Sequence, residues 1–131
     1  MKRFSYLTLG LLLASTLGIT ACVSTPEFAA NGTPSPYDGK WSGDFSSQMS
    51  TCQGITGDFE IRYGQLIGII RKDGVKQADI WGQLSEQGQL NGNIGKVGIS
   101  GGDANITFAG NTATGSWYGS GCKGQVSLKK G

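Results

Sequence analysis

An all-β fold, a small antiparallel up-and-down β-barrel or meander of about eight strands, is predicted by three observations on this chain. A five-residue unit, apolar–spacer–Gly–spacer–apolar, recurs seven times through the C-terminal three-quarters of the sequence. Alternation at period two puts both apolar groups and the Gly on one face of a strand and the spacers on the other. The segments between the units carry turn residues at spacings that keep this apolar face aligned from strand to strand. Nothing in the region follows the 3.6-residue period of a helix.

The units lie at 41–45, 55–59, 66–70, 80–84, 90–94, 113–117 and 122–126, centred on Gly43, Gly57, Gly68, Gly82, Gly92, Gly115 and Gly124. A further stretch, 104–108, alternates through Ala104, Ile106 and Phe108 without a central Gly. The predicted strands are 39–47, 55–63, 65–71, 75–85, 89–94, 103–109, 112–119 and 122–129. A two-residue Gly64-Gln65 turn sets Tyr63 opposite Leu66 and Phe59 opposite Ile70. Three-residue loops at 72–74 and 86–88 place Gly74 and Gly88 third, where a type I turn with a bulge needs positive φ. The first loop matches Leu66 with Ile80, and the second matches Leu84 with Leu90. Turns at Gly110-Asn111 and Ser120-Gly121 match Phe108 with Ala113 and Trp117 with Gly124. The segment Lys96-Val97-Gly98-Ile99 either extends the fifth strand or forms a ninth.

Ahead of the domain, residues 23–36 hold all three prolines and few bulky apolar groups. They read as a flexible tether. The N-terminus has a basic start, Lys2 and Arg3, and an apolar run from Leu7 to Ile19 that is short for a membrane span and ends in small residues. That run closes on Ile19-Thr20-Ala21-Cys22, which resembles a bacterial lipobox. The resemblance implies a signal peptide over 1–21, removed on export, and a mature chain that begins at a lipid-modified Cys22. The domain plan is therefore a leader over 1–21, lipidated Cys and linker over 22–36, and a β-domain over 37–131. Several acyl chains at about 0.8 kcal/mol per buried CH₂ give an effectively permanent attachment. Val23, rather than Asp, follows the Cys. By resemblance to enterobacterial lipoproteins, this implies sorting to the outer membrane.

Loss of Lys2 and Arg3 with the leader takes Lys+Arg from 11 to 9, equal to the 9 Asp+Glu. A balanced chain without a basic stretch argues against nucleic acid as a partner. With Cys22 lipidated, Cys52 and Cys122 are the thiols left in an oxidising compartment, and a disulfide is the simplest pairing. Two free thiols or a metal pair are the alternatives; no His and no third free Cys weigh against metal. A bridge of this span constrains the unfolded chain by up to roughly 4 kcal/mol. It also bears on strand number. Cys52 follows the first strand and Cys122 starts the last, so an even-stranded closed barrel brings them together, and eight strands are preferred over nine.

The chemistry on offer is sparse. Without His there is no imidazole acid or base and no His-based triad. Asp44, Asp58 and Glu60 fall on the polar face of the first two strands beside Arg62, the pattern of a solvated face with its salt bridges. An enzyme is not expected, and neither is a cofactor. The inward glycines have two readings: a narrow barrel without room for side chains at its waist, or a cavity for a small apolar ligand. One feature breaks the polar-outside rule. Ile67 and Ile69 on the third strand and Trp81 on the fourth point outward together, beside a basic tip of Arg71, Lys72 and Lys76, as a contact surface would.

The opening Asp38-Gly39-Lys40-Trp41-Ser42-Gly43 resembles a D-G-x-W-x-G pattern of small bacterial secreted and lipoprotein domains. Gly115-Ser116-Trp117 followed by Cys122-Lys123-Gly124 resembles their G-x-W…C-x-G close. The resemblance spans most of residues 38–129 and implies the meander and the disulfide rather than an activity. A looser likeness is to small lipoprotein barrels that inhibit proteases or lysozyme, although their closely spaced cysteine loop is missing here. The expected function is that of a non-enzymatic outer-membrane lipoprotein that binds a protein or envelope component through its outer surface. The alternatives are a carrier of a small apolar ligand and an inhibitor of a periplasmic or host hydrolase.

Overall fold

A computed structural model describes residues 27–29, 32–96 and 99–131. Cys22, the leader and most of the linker lie outside these. Eight strands form one closed antiparallel barrel: β1 Gly39–Ser46, β2 Ile55–Arg62, β3 Gln65–Lys72, β4 Val75–Gln83, β5 Gln89–Lys96, β6 Ile99–Ala109, β7 Thr112–Gly119 and β8 Cys122–Lys130. Each strand pairs with the next, and β8 pairs back onto β1, with Trp41 opposite Lys130 and Phe45 opposite Val126. A single 3₁₀ turn, Ser50–Cys52, follows β1. The ambiguous segment at 96–99 resolves without a ninth strand: Lys96 pairs with Ile99 across positions 97 and 98.

The inward face is the predicted one. Trp41, Phe45, Phe59, Ile61, Leu66, Ile70, Ile80, Leu90, Ile94, Ile106, Phe108, Trp117, Val126 and Leu128 are all buried in one cluster. Opposite several of these bulky groups, on a neighbouring strand, stands a glycine. Phe59 faces Gly68 and Ile70 faces Gly57. Leu66 faces Gly82, Ile106 faces Gly115 and Trp117 faces Gly124. A Cβ at Gly115 would run into the Asn105 carbonyl of β6, and one at Gly124 into the Ser46 carbonyl of β1. The backbones approach so closely there that no side chain fits.

Aromatic rings fill the space along the axis. Trp41 meets Phe108 edge-on at 4.8 Å, and Phe45 meets Trp117 at 5.6 Å and Phe59 at 5.9 Å. Both buried indole N–H groups are satisfied, as burial of a Trp requires. Trp41 Nε1 donates to the Tyr37 carbonyl at 2.8 Å, and Trp117 Nε1 to the Ser46 carbonyl at 3.1 Å.

Three of the five predicted turns have the expected register, with Leu84 opposite Leu90, Phe108 opposite Ala113 and Trp117 opposite Gly124. Two differ. The β2–β3 turn is Tyr63-Gly64, not Gly64-Gln65, so Ile61 rather than Tyr63 faces Leu66, and Phe59 faces Gly68 rather than Ile70. Tyr63 and Gly64 both take positive φ, 52° and 76°, an arrangement a Tyr seldom adopts unaided. The Asp38 carboxylate holds it, accepting the Tyr63 amide at 2.9 Å and the Gly64 amide at 3.0 Å. The β3–β4 turn is the two-residue Asp73-Gly74, and a bulge follows it: Arg71 faces Lys76 but Ile70 faces Ala78. Leu66 consequently faces Gly82 instead of Ile80. Both corrections move the register by an even number of residues, so the buried face survives.

Cys52 and Cys122 form a disulfide with Cα atoms 5.9 Å apart. Its position follows from closure: the turn after β1 and the start of β8 lie side by side at one end of the barrel.

Substitution of Gly115 by Ala will lower stability by about 2–3 kcal/mol, since the added methyl meets backbone that cannot yield. Gly101→Ala, where the nearest atom to an added Cβ is 3.8 Å away, will change stability by less than about 1 kcal/mol in either direction. Chemical denaturation midpoints of the two variants check this. A pH series tests the turn clamp. Burial pushes the Asp38 pKa up, but amides of Gly64, Ser35 and Tyr63 and the Lys130 charge together outweigh it and hold the carboxyl below its ordinary 3.8. A depressed folded-state pKa stabilises the fold above the unfolded value, about 3.9, and that contribution is lost as pH falls through the folded value. Asp38→Asn will therefore cost about 1–2 kcal/mol at neutral pH, and the gap from the parent will close in acid below pH ~4.

Candidate functional site

Three regions of the barrel offer more than a solvated strand face. The first is the patch expected on β3 and β4. Ile67 sits directly opposite Trp81, and Ile69 lies two residues along the same face, opposite Asp79. All three side chains are half-buried, packed side by side on the outer surface. The strands on either side are polar, with Glu60 beside Ile67, Asp58 beside Ile69 and Asn93 beside Trp81. Asp79 is 6% exposed and binds Lys76 Nζ at 2.9 Å.

The basic tip beside the patch is already engaged. Arg71 pairs with Asp58 across β2–β3, Lys76 with Asp79, and Lys72 Nζ donates to the Thr51 carbonyl at 2.6 Å. The expected salt bridge of the acidic strand face is present as well, Arg62 with Glu60 at 2.9 Å within β2. These cations thus secure the edges of the patch and the turn that carries Cys52.

The segment Glu27 to Ala29 lies against the other end of the same face. The Ala29 amide donates to Gln65 Oε1 at 2.9 Å, Gln65 Nε2 donates to the Glu27 carbonyl at 3.4 Å, and the Arg62 guanidinium stacks over the Phe28 ring at 4.7 Å. Gln65 is two residues from Ile67 on the same side of β3. The approaching chain and the apolar patch are therefore neighbours.

The second region is the barrel mouth at the disulfide end. A cavity of about 330 Å³ opens there, floored by Ile70, Ile94 and Trp117, walled by Ile55, Ala78 and the disulfide, with Lys72 and Gln77 at the rim. There the inward apolar face meets solvent.

The third region was not anticipated. An open groove of about 890 Å³ runs along the outside of β6, β7 and β8 and is walled by the chain leaving β1. Tyr118, 54% exposed, stands in it, with its O–H donating to Asp103 Oδ2 at 2.5 Å. Alternation places these residues outside, but their assembly needs the register of three strands and the return of residues 46–49 at once.

Comparison of the chain with family models, with curated proteins and with solved structures finds no match.

Proposed function

We propose that this protein is a lipid-anchored, non-enzymatic component of the bacterial outer membrane that binds an envelope protein through the outer face of β3 and β4. The observation that carries the reading is the Ile67–Trp81 pair with Ile69 beside it. An apolar cluster containing a Trp, on a strand face whose neighbours are charged or amide-bearing, is the composition of an interface centre with a polar rim. Trp81 is the anchor, and the ion pairs Arg71–Asp58 and Lys76–Asp79 keep the surrounding side chains in place.

The docked segment supports the membrane side of this reading. Glu27 is five residues from Cys22, a reach of at most about 18 Å for an extended chain. A lipid on Cys22 therefore keeps the patch close to the bilayer surface, where a membrane-bound partner is concentrated. In the filled interior, glycines admit neighbouring backbones rather than ligand atoms, which favours a surface over an axial binding site.

A second reading rests on the cavity at the mouth. Its apolar floor and about 330 Å³ volume suit a small apolar ligand with a polar end near Lys72. Native mass spectrometry of protein purified from its own envelope distinguishes the two, since a carrier retains a bound molecule and a surface binder does not.

Cys22→Ser will move the protein from the membrane fraction to the soluble fraction, read by fractionation and immunoblot. With Cys22 intact, a photoreactive residue at Gln83 will give one discrete crosslinked protein adduct in intact cells. Adding Trp81→Ser and Ile69→Ser will abolish that adduct while changing folding stability by no more than about 1–2 kcal/mol. An adduct that persists in the double variant refutes the patch.

A further inference from the structure

The groove on β6–β8 has a different chemistry from the apolar patch and lies on a different part of the barrel. Its residues fall in two rows set by strand register. Asp103, Tyr118 and Lys123 form one, and Asn105, Ser116 and Gln125 the other. Both rows continue onto β5, where Asn93 faces Asp103 and Asn91 faces Asn105 around a smaller recess of about 220 Å³. Primary amides and hydroxyls dominate. The two charges are of opposite sign, and the negative one is engaged by Tyr118.

Exposed apolar surface is concentrated here too. Among the described residues, four large hydrophobic side chains are exposed: Met49, Tyr63, Val75 and Tyr118. Tyr63 forms the β2–β3 turn and Val75 flanks the β3–β4 turn, whereas Met49 and Tyr118 both line the groove. The Tyr118 ring is held by its bond to Asp103, so presenting it to a ligand costs little further side-chain entropy. That bond, followed by the carboxylate's charge, also raises the Tyr118 pKa above its ordinary 10.0.

We propose that this groove binds a polysaccharide chain bearing hydroxyl and acetamido groups. Amides and hydroxyls both donate and accept, the requirement for a ligand whose every sugar does the same. A fixed, exposed Tyr offers a flat face to the C–H side of a sugar ring while its polar edge stays hydrogen-bonded. The near-neutral charge of the groove is complementary to an uncharged chain; a nucleic acid needs a row of cations, and an apolar peptide needs more than one Tyr and one Met. The groove is open to solvent, so a long chain can lie across it without threading. This inference does not depend on the β3–β4 patch.

The test is titration of the full mature chain, ¹⁵N-labelled, with a soluble N-acetylglucosamine tetramer, followed by two-dimensional amide NMR. Saturable shifts are expected at Asp103, Asn105, Ser116, Tyr118, Lys123 and Gln125, with millimolar or tighter affinity. Tyr118→Ala will weaken binding at least about tenfold, Tyr118→Phe will weaken it less, and Trp81→Ser will leave it unchanged. Chemical shifts away from the groove report that each variant is folded. Absence of shifts up to about 10 mM ligand, shifts confined to the barrel mouth or the β3–β4 patch, equal affinity of Tyr118→Ala, or a response to a polar peptide and not to the glycan would each overturn the proposal.

Discussion

The pairing of a large inward side chain on one strand with a glycine at the facing position of the next sets almost everything else about this barrel. Eight tightly coiled strands leave no room for two bulky residues at every facing pair. Trp41 meets Phe59 and Ile61 meets Leu66, but other large groups need a glycine opposite. Phe59 opposite Gly68 and Trp117 opposite Gly124 show the solution: one strand contributes the ring, and its neighbour contributes only backbone. The arrangement brings carbonyls such as that of Ser46 into the interior, where the Trp117 indole N–H finds its acceptor. Closure follows, because a sheet that coils this strongly returns β8 to β1 after eight strands and sets Cys52 against Cys122. The disulfide then ties a seam that the backbone hydrogen bonds have already drawn together.

Because the face pattern repeats through Gly, strand number and inside–outside assignment are legible from the residues alone. Register is legible only where turn chemistry is local. The turns after β4, β6 and β7 carry Gly88, Gly110 and Gly121 where their own backbone takes positive φ, and they fall where expected. The turn after β2 does not. Its left-handed Tyr63 is stabilised by Asp38, a residue 25 positions earlier, and no inspection of residues 61–66 reveals that contact. The bulge in β4 is hidden for a related reason: 75–78 offers no Gly to mark it, and the bend is set by pairing with β3. Each error displaced the register by two, and an even displacement cannot turn the core outward.

The two outer surfaces differ in how visible they are. Ile67, Ile69 and Trp81 announce themselves by breaking the alternation, so a patch could be read directly from three residues. The groove residues obey the alternation. Asn105, Ser116 and Gln125 are each an ordinary outward residue, and only β6, β7 and β8 laid side by side put them in one row. Partners are less legible still. Arg71, Lys72 and Lys76 read as a basic tip, yet Arg71 is committed to Asp58 on the adjoining strand, Lys72 to the Thr51 carbonyl, and Lys76 to Asp79 on its own strand.

Among the described residues the only helical element is the 3₁₀ turn Ser50–Cys52, and a barrel with a filled core has little capacity to change shape, which constrains what binding can do here. Side chains fixed on paired strands meet a partner with small entropic loss, but they transmit no conformational signal. In an eight-strand ring, β3–β4 and β7–β8 lie four strands apart, on opposite sides. The approaching chain docks along β2–β3 through Phe28 and Gln65, which leaves β6 and β7 on the far side of the barrel from it, with β8 separated from β2 by β1. A rigid body of this kind would link partners at the two proposed faces through its fixed geometry.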